Sequence, residues 1–364
     1  MLSCFTVFGQ NSSEKIIGGN EGLSIGGYGQ IDANFDLTED NKRESNGKLD
    51  VHRLVTFVGY KFSNKLSFVS EIEYEHVTEL YVEQAFLDYK INDNMSLQSG
   101  LMLIPMGIQN LYHEPPTFNG VERTNVDKYI VPTTWREIGV GVSGRMEEQS
   151  LNYQIMMVNG LNGYDQDGGV FSGKKGLRSG RQKGAESYVT DFDFAGRLSY
   201  YGAIGFNLGA SFYIGDSETS DFGADSTQIG IQMLGADARY NNGAFQARAQ
   251  YIVAELDGSQ AYNSKTDNDL GSKMTGYYLE GGYDVLDGKS ENQLIAFARY
   301  ENYNTHAETE VIPANLAYDR TETTVGLTYK IDKGAAFKMD YQLKETGASE
   351  EETKHINFGV AVWF

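Results

Sequence analysis

The sequence predicts an all-β fold, an antiparallel up-and-down transmembrane β-barrel of about 16 strands with short turns at one end and long loops at the other. Three observations support this prediction. Apolar residues recur at every second position in segment after segment, which is the period of a strand with one apolar face. Short and long connections alternate between those segments. The final stretch, residues 354–364, is an alternating strand that ends in the aromatic Phe364.

The composition agrees with a barrel and excludes some classes of protein. The 364 residues include 42 Gly, 24 Tyr and 19 Phe but five Pro, which suits many strands joined by turns. The mean hydropathy of -0.42 does not argue against a membrane protein, because apolar and polar residues cancel along a barrel strand. The net charge of -20 argues against binding nucleic acid, which requires a basic surface.

The chain divides into three parts. Residues 1–9 are predicted to be the remnant of a signal peptide, because they are apolar and end in the small residue Gly9. Residues 10–22 are expected to form an N-terminal periplasmic segment, and residues 23–364 a single barrel. The one cysteine, Cys4, falls in the predicted leader, so disulfides and cysteine metal sites are not expected.

The strand segments follow from the period of two. Leu23, Ile25 and Ile31 share one face of the first segment, and Tyr28 and Gln30 the other. The second segment is ambiguous, because apolar residues fall on both of its faces. The sixteen predicted segments are 23–35, 49–62, 66–75, 80–91, 95–104, 136–146, 151–158, 192–200, 204–214, 229–240, 245–253, 274–285, 294–303, 321–331, 335–344 and 354–364.

The connections predict which end of the barrel faces which side of the membrane. Short turns with Asn-Gly, Asp-Gly or Lys-Gly pairs supply the positive φ of tight hairpins, and such turns lie on the periplasmic side of outer-membrane barrels. A soluble sandwich would have to bury about sixteen apolar faces within one chain, so the barrel is favoured. The predicted long loops are 36–48, 105–135, 159–190, 215–228, 256–272, 304–319 and 345–353.

A family resemblance rests on the region around the second long loop. Residues 100–108 close a strand with Pro105-Met106-Gly107, a long segment follows, and Trp135-Arg136-Glu137-Ile138-Gly139-Val140 opens the next strand. This arrangement resembles the phosphate-selective porin O and P family and its relatives among Bacteroidetes outer-membrane proteins. The resemblance implies a water-filled outer-membrane channel for passive diffusion of small hydrophilic solutes or ions, commonly a homotrimer, with one long loop folded inward. Residues 105–135 are the expected constriction loop.

Charged residues on the polar strand faces and in that loop are the candidate site, because a barrel of this size encloses an aqueous lumen. The predicted pore-lining or constriction residues are Arg53, Glu71, Glu73, Glu75, Arg123, Arg136, Arg145, Arg197, Arg239, Arg248, Arg299 and Lys338. Further charges on the polar faces are Asp32, Asp191, Asp193, Asp237, Glu280, Glu301, Glu322, Lys330 and Asp340. Phe364 is the predicted membrane-insertion signal.

Other functions find less support in the sequence. A basic run, from Lys174 to Lys183, is expected either to contact lipopolysaccharide phosphates and anions or to form a solvated loop tip. A plugged barrel that acts as an adhesin or as the membrane partner of a larger complex is the alternative to a channel. No catalytic constellation, cofactor motif or metal-binding spacing is recognised. The five histidines are His52, His76, His113, His306 and His355.

Overall fold

The computed structural model describes residues 21–38, 46–221 and 227–364, and these form a closed barrel of 16 antiparallel strands. The predicted fold class is therefore confirmed, and each of the sixteen predicted segments overlaps a barrel strand. Residues 1–20, where the signal-peptide remnant and most of the N-terminal segment were predicted, lie outside the described residues.

The barrel strands pair in chain order, and the first pairs with the last. Their bounds are β1 Gly22–Asp36, β2 Lys48–Lys61, β3 Leu66–Glu75, β4 Glu79–Asn92, β5 Met95–Leu103, β6 Arg136–Met146, β7 Leu151–Val158, β10 Asp193–Tyr200, β11 Phe206–Asp216, β13 Gly230–Asn242, β14 Phe245–Asp257, β15 Lys273–Asp284, β16 Gln293–Glu308, β17 Asp319–Asp332, β18 Ala335–Thr346 and β19 Ser349–Trp363.

The remaining elements lie in the connections at the long-loop end and inside the barrel. A small sheet combines β8 Asn162–Asp165, β9 Gly168–Gly169 and β12 Glu218–Thr219. In the described residues, the α-helices are Val126–Tyr129 and Ser259–Thr266, and the 3-10 helices are Pro115–Thr117, Arg178–Gly180 and Leu316–Tyr318. Among the described residues, no helix has both the length and the apolar character needed to cross a membrane.

The C-terminal residue completes the closure of the barrel. Gly27 and Phe364 exchange two backbone hydrogen bonds of 2.9 Å each, one residue beyond the end of β19. The Phe364 ring lies over Gly27, where a Cβ would come within 2.9 Å of the ring. The side chain itself stays largely exposed on the outer surface, as expected for a lipid-facing aromatic residue at the membrane boundary.

A β-bulge explains why the second segment has apolar residues on both faces. Gln30 pairs with Arg53 but Asp32 pairs with Asp50, so β2 holds one extra residue at Val51–His52. The bulge shifts the alternation by one position, because an extra residue reverses the facing of everything beyond it. Leu49 faces outward before the bulge, whereas Val55 faces the interior after it.

One predicted loop is wrong. Residues 345–353 were expected to form a long loop, but β18 runs to Thr346 and β19 begins at Ser349, which leaves a two-residue turn. The polar run there lacks the apolar alternation of a membrane-facing strand, yet strands can continue beyond the bilayer, where both faces meet water. Asp191 also differs from expectation, because it is exposed in the loop that precedes β10.

Candidate functional site

The connection between β5 and β6, residues 104–135, runs inside the barrel and is named here the lumen segment. Its apolar side chains form much of the buried core: Met106, Ile108, Val126, Ile130 and Trp135 are all at most 1% exposed. A soluble protein would place such a core between layers, whereas here it occupies the interior of the cylinder. The lumen segment therefore narrows the space available to solutes.

Asn110 fixes the point where the lumen segment leaves and rejoins the wall. Its Nδ2 donates to the carbonyl oxygens of Ile104 at 2.6 Å and Trp135 at 2.9 Å. The Trp135 amide donates back to Asn110 Oδ1 at 2.7 Å, and Asn110 is completely buried. The Asn110 side chain thus holds the two ends of the lumen segment together through hydrogen bonds to backbone groups.

Carboxylates on the far wall accept hydrogen bonds from the backbone of the lumen segment. Asp340 on β18 accepts from the Val121 amide at 2.6 Å. Glu301 on β16 accepts from the amides of Asn125 at 2.7 Å and Val126 at 3.2 Å. Bonds to charged acceptors are about twice as strong as neutral ones, so these carboxylates act as anchors.

Cations on the wall strands from β10 to β18 donate to the carbonyl oxygens of the same segment. Lys338 Nζ donates to Pro115 at 2.6 Å and to Phe118 at 2.7 Å. Arg197 Nη1 donates to Gly107 at 3.2 Å, and Arg248 donates to the Thr117 carbonyl oxygen. Arg299 makes longer contacts of 3.4 Å with the Glu122 carbonyl oxygen. These four predicted pore-lining residues therefore bind the backbone of the lumen segment.

On the opposite side, a buried polar cluster holds the lumen segment against β3 and β4. His113 Nε2 lies 3.1 Å from Glu83 Oε2 and 3.4 Å from Glu71 Oε1. The Tyr28 hydroxyl donates to Glu71 at 3.1 Å, and Gln84 Nε2 donates to the second Glu71 oxygen at 2.6 Å. All five side chains are at most 5% exposed, so the cluster supports a fixed path for the segment.

Glu83 and His113 are functional candidates that the sequence did not indicate. Glu71 pairs with Gln84 and Ile72 with Val82, so Glu83 is the extra residue of a bulge in β4. Alternation along β4 would place Glu83 and Gln84 on opposite faces, but the bulge brings both into the interior. The available signal was the Glu83-Gln84 polar pair in an otherwise alternating strand.

The predicted site residues occupy three kinds of position. The buried ones, less than a tenth exposed, are Arg53, Glu71, Glu73, Arg136, Arg197, Arg239, Arg299 and Lys338. Those of intermediate exposure are Glu75, Arg123 and Arg248, whereas Arg145 is exposed near the short-turn end. The buried pairs include Arg53 Nε with Glu73 at 3.5 Å and Arg197 Nη1 with Asp237 at 2.7 Å.

Two cavities remain between the lumen segment and the wall at the short-turn end. The first, of about 340 Å³, is lined by residues of both signs, including Lys90, Asp93, Arg145, Glu147 and Arg197. The second, of about 300 Å³, is named here the basic cavity. Its charged lining residues are Arg239, Arg248, Lys330 and Lys333, with no carboxylate among its lining residues.

At the long-loop end, part of the basic run closes over the lumen segment. Arg181 Nη1 donates to Thr133 O at 3.0 Å and to Thr134 Oγ1 at 3.2 Å, and Arg178 also donates to Thr133 O. These arginines therefore bind the lumen segment, whereas Lys174 and Lys175 are exposed.

The pairing of β2 with the β3–β4 hairpin brings together a further cluster, formed by Asp50, His52 and His76. Asp50 and His52 lie on β2, and His76 lies in the turn between β3 and β4. Their nitrogen and oxygen ligand atoms all lie within 4.8 Å of one another. The sequence spacing of these residues did not indicate the cluster, because the hairpin register brings them together.

Comparisons with known proteins agree with this geometry. The family model described as "Phosphate-selective porin O and P" matches residues 24–357. A curated protein of Aquifex aeolicus (strain VF5), described as uncharacterized, is 33% identical over 351 residues, covering 91% of this chain and 77% of the relative.

Solved structures with the same fold are far more distant in sequence. The outer membrane channel DcaP of Acinetobacter baumannii has a TM-score of 0.62 at 10% identity, covering 94% of this chain and 97% of that one. The anion-selective porin of Comamonas acidovorans gives 0.60 at 12%, covering 94% and 100%. OmpT of Vibrio cholerae in its trimer form gives 0.55 at 12%, covering 94% and 100%.

The family match spans nearly the whole barrel, including the lumen segment and the strands that anchor it. The chain therefore belongs to the phosphate-selective porin O and P family, and it is an outer-membrane porin, a passive diffusion channel for small hydrophilic solutes or ions.

Proposed function

We propose that this porin favours anions and passes them without chemical change. The basic cavity attracts these anions on the periplasmic side. The observation that carries the proposal is the charge of the basic cavity, which four cationic side chains and no carboxylate line. Lumen walls of one charge sign select ions of the other, and low-dielectric surroundings strengthen the field. The net charge of -20 describes the whole chain rather than this space.

Arg239 is well placed to contact a passing anion. Its guanidinium lies 4.2 Å from the centre of the Tyr112 ring, and Nη2 donates to Asn207 at 3.2 Å. Stacking and this bond fix the plane of the guanidinium. The residue keeps 8% of its surface exposed and lines the basic cavity, so its charge acts on a solute there.

Phosphate is a reasonable solute for such a site, since the family is described as phosphate-selective. The cavity of about 300 Å³ corresponds to about ten water molecules, which is room for an oxyanion and part of its hydration shell. Guanidinium and ammonium groups are the side chains that bind phosphate oxygens most strongly.

Reversal potentials across planar bilayers test the anion preference. In a potassium chloride gradient, we expect the reversal potential of the wild-type channel to have the sign that indicates preference for chloride over potassium. The double variant Lys330→Gln/Lys333→Gln should shift the potential toward zero, because it removes two charges that make no hydrogen bond to the lumen segment. Lys289→Gln, an exposed turn lysine at the same end, is the control. Potassium preference in the wild type would contradict the proposal.

Silence of the folded protein in the same bilayers would favour the alternative function. The lumen segment is anchored to both walls, so a barrel that is closed to solutes and serves as an adhesin or as the membrane partner of a larger complex has a structural basis. Addition of inorganic phosphate to the silent protein, followed by equilibrium dialysis, would then show whether the basic cavity still binds anions.

We also propose a homotrimer, supported by the trimer form of the Vibrio cholerae structure. An apolar hollow of about 520 Å³ on the outer surface is the proposed contact, with Leu327, Phe337, Met339 and Phe358 among its lining residues. Disulfide cross-linking in membranes tests it: Met339→Cys should give cross-linked chains, whereas Leu234→Cys, exposed on β13, should not. Equal cross-linking at both positions would refute this contact.

Lipopolysaccharide is the proposed partner at the extracellular surface. Lys174 and Lys175 are exposed at the long-loop end and carry the charge that phosphates attract. Co-purification of lipopolysaccharide should fall in the Lys174→Gln/Lys175→Gln variant, and an unchanged yield would remove this role.

A further inference from the structure

The Asp50–His52–His76 cluster lies at the extracellular rim of the barrel, away from the basic cavity. Asp50 and His52 lie two residues apart on β2 at the bulge, and the pairing of Arg53 with Glu75 brings the next residue of the chain, His76, beside them. The His76 amide donates to the His52 carbonyl oxygen at 3.3 Å, which fixes the turn between β3 and β4 beside β2.

Two imidazoles converge on one carboxylate in this cluster. His76 Nδ1 lies 2.5 Å from Asp50 Oδ2, and His52 Nδ1 lies 3.6 Å from the same oxygen. The two rings meet edge to face, with their centres 5.4 Å apart. Both Nδ1 atoms therefore face a common point, which is the arrangement that a bound cation requires.

The spacing fits a small transition-metal ion. Bonds of about 2.1 Å in a tetrahedral site separate the ligand atoms by about 3.4 Å. The His52–Asp50 distance already matches this value, and the His76–Asp50 distance would have to open by about 1 Å. His76 can make that movement, because it lies in a turn with a 45% exposed side chain.

The surroundings of His76 also suit a metal ligand. Its second ring nitrogen, Nε2, faces Glu75 Oε1 at 4.0 Å. Metal-binding histidines usually direct the other ring nitrogen at a carboxylate or carbonyl group, which orients the ring. The partial exposure of all three side chains gives an ion from outside a path to the site.

We propose that Asp50, His52 and His76 bind a divalent transition-metal ion, and that Zn²⁺ is the ion of best fit. Imidazole and carboxylate ligands suit Zn²⁺, and water would fill the fourth position. The bound ion joins β2 to the β3–β4 turn, where His76 and Val77 have positive φ values of 51° and 67°. It thereby stiffens a short extracellular turn next to the channel mouth.

The buried Glu71–Glu83–His113 cluster is the competing position for a metal. Both Glu71 oxygens, both His113 nitrogens and Glu83 Oε2 already have hydrogen-bond partners, and Glu83 Oε1 lies 3.8 Å from Arg136 Nη1. All three groups are at most 2% exposed. An ion would have to displace those bonds and enter a closed space. The rim cluster is open and lacks such a network.

Isothermal titration of the untagged, folded protein with Zn²⁺ tests the proposal, with the visible absorption of bound Co²⁺ as an independent readout of the ligand set. We expect one ion per chain and at least tenfold weaker binding in both His52→Gln and His76→Gln. His355→Gln is the matched control, since His355 lies outside the cluster on β19, and its affinity should equal that of the wild type.

Several outcomes would overturn the assignment. Absence of Zn²⁺ binding by the wild type would do so, and so would wild-type affinity in both histidine variants. Loss of binding in His113→Gln alone would move the site to the buried cluster. Heat-dependent migration in electrophoresis confirms that each variant is folded, and Asp50→Asn provides a third variant if a histidine variant fails to fold.

Discussion

Lys338 makes the most concentrated contact between the barrel wall and the lumen segment. Its ammonium donates to two carbonyl oxygens, of Pro115 and Phe118, and lies 4.0 Å from the centre of the Phe118 ring. Only 5% of the residue is exposed. The substitution Lys338→Met keeps the length and packing of the side chain but removes all three interactions.

The magnitude follows from the two hydrogen bonds. Each bond from a charged donor contributes about 1.5–3 kcal/mol, so the pair contributes about 3–6 kcal/mol. Methionine recovers part of this amount because it needs no hydration, and we therefore expect the lower end, about 3 kcal/mol. That value corresponds to a roughly hundredfold larger population in which this part of the lumen segment is detached.

Single-channel recording and limited proteolysis measure that population. The Lys338→Met channel should show frequent current fluctuations, and its lumen segment should be cleaved faster than that of the wild type. Lys344→Met is the control: it lies on the same face of β18, is 33% exposed, and has a single ion pair of 3.9 Å with Glu322. A steady current and unchanged cleavage in Lys338→Met would refute the anchoring argument.

Two further predictions concern the barrel closure and an extracellular loop. Gly27→Val should abolish the folded, heat-modifiable form, because the added Cβ would lie against the Val55 carbonyl oxygen and 2.9 Å from Phe364 Cζ. The control Gly281→Ala should fold normally, because a Cβ added there has no other atom within 4 Å. Tyr262→Phe should speed amide hydrogen exchange at Phe171 about tenfold or more, because it removes the 2.9 Å acceptor of that amide, at a cost of about 1–3 kcal/mol. Burial raises the pKa of Tyr262 to about 12, so the hydroxyl keeps its proton over the pH range of an exchange experiment. An unchanged exchange rate in Tyr262→Phe would contradict this role.

The periodic parts of the fold were predictable because they depend on local rules. Alternation of apolar residues locates each strand, and turn residues locate the hairpins that join them. The ambiguity of the second segment was itself informative, since the bulge at Val51–His52 produces that mixed pattern. The error at residues 345–353 has a different origin, because a strand that leaves the bilayer no longer shows the apolar alternation.

The sequence predicted charged residues on the inward strand faces but not the partners that these residues bind. Arg197, Arg299 and Lys338, for example, are buried inside the barrel. Their hydrogen bonds to carbonyl oxygens of the lumen segment could not be predicted, because a long connection has no periodic pattern that would fix its path. Whether these charges select ions stays a prediction.

The sequence by itself determined the barrel: the strands, their number, the side on which the turns lie and, away from the bulges, which strand faces are polar. These features follow from the two-residue period and from turn chemistry, which act over a few neighbouring residues. Only the tertiary structure decided how the lumen segment crosses the barrel. It also decided which charged side chains bind that segment and which line the basic cavity. It also assembled Asp50, His52 and His76, because contacts between distant residues depend on register and on bulges that shift it.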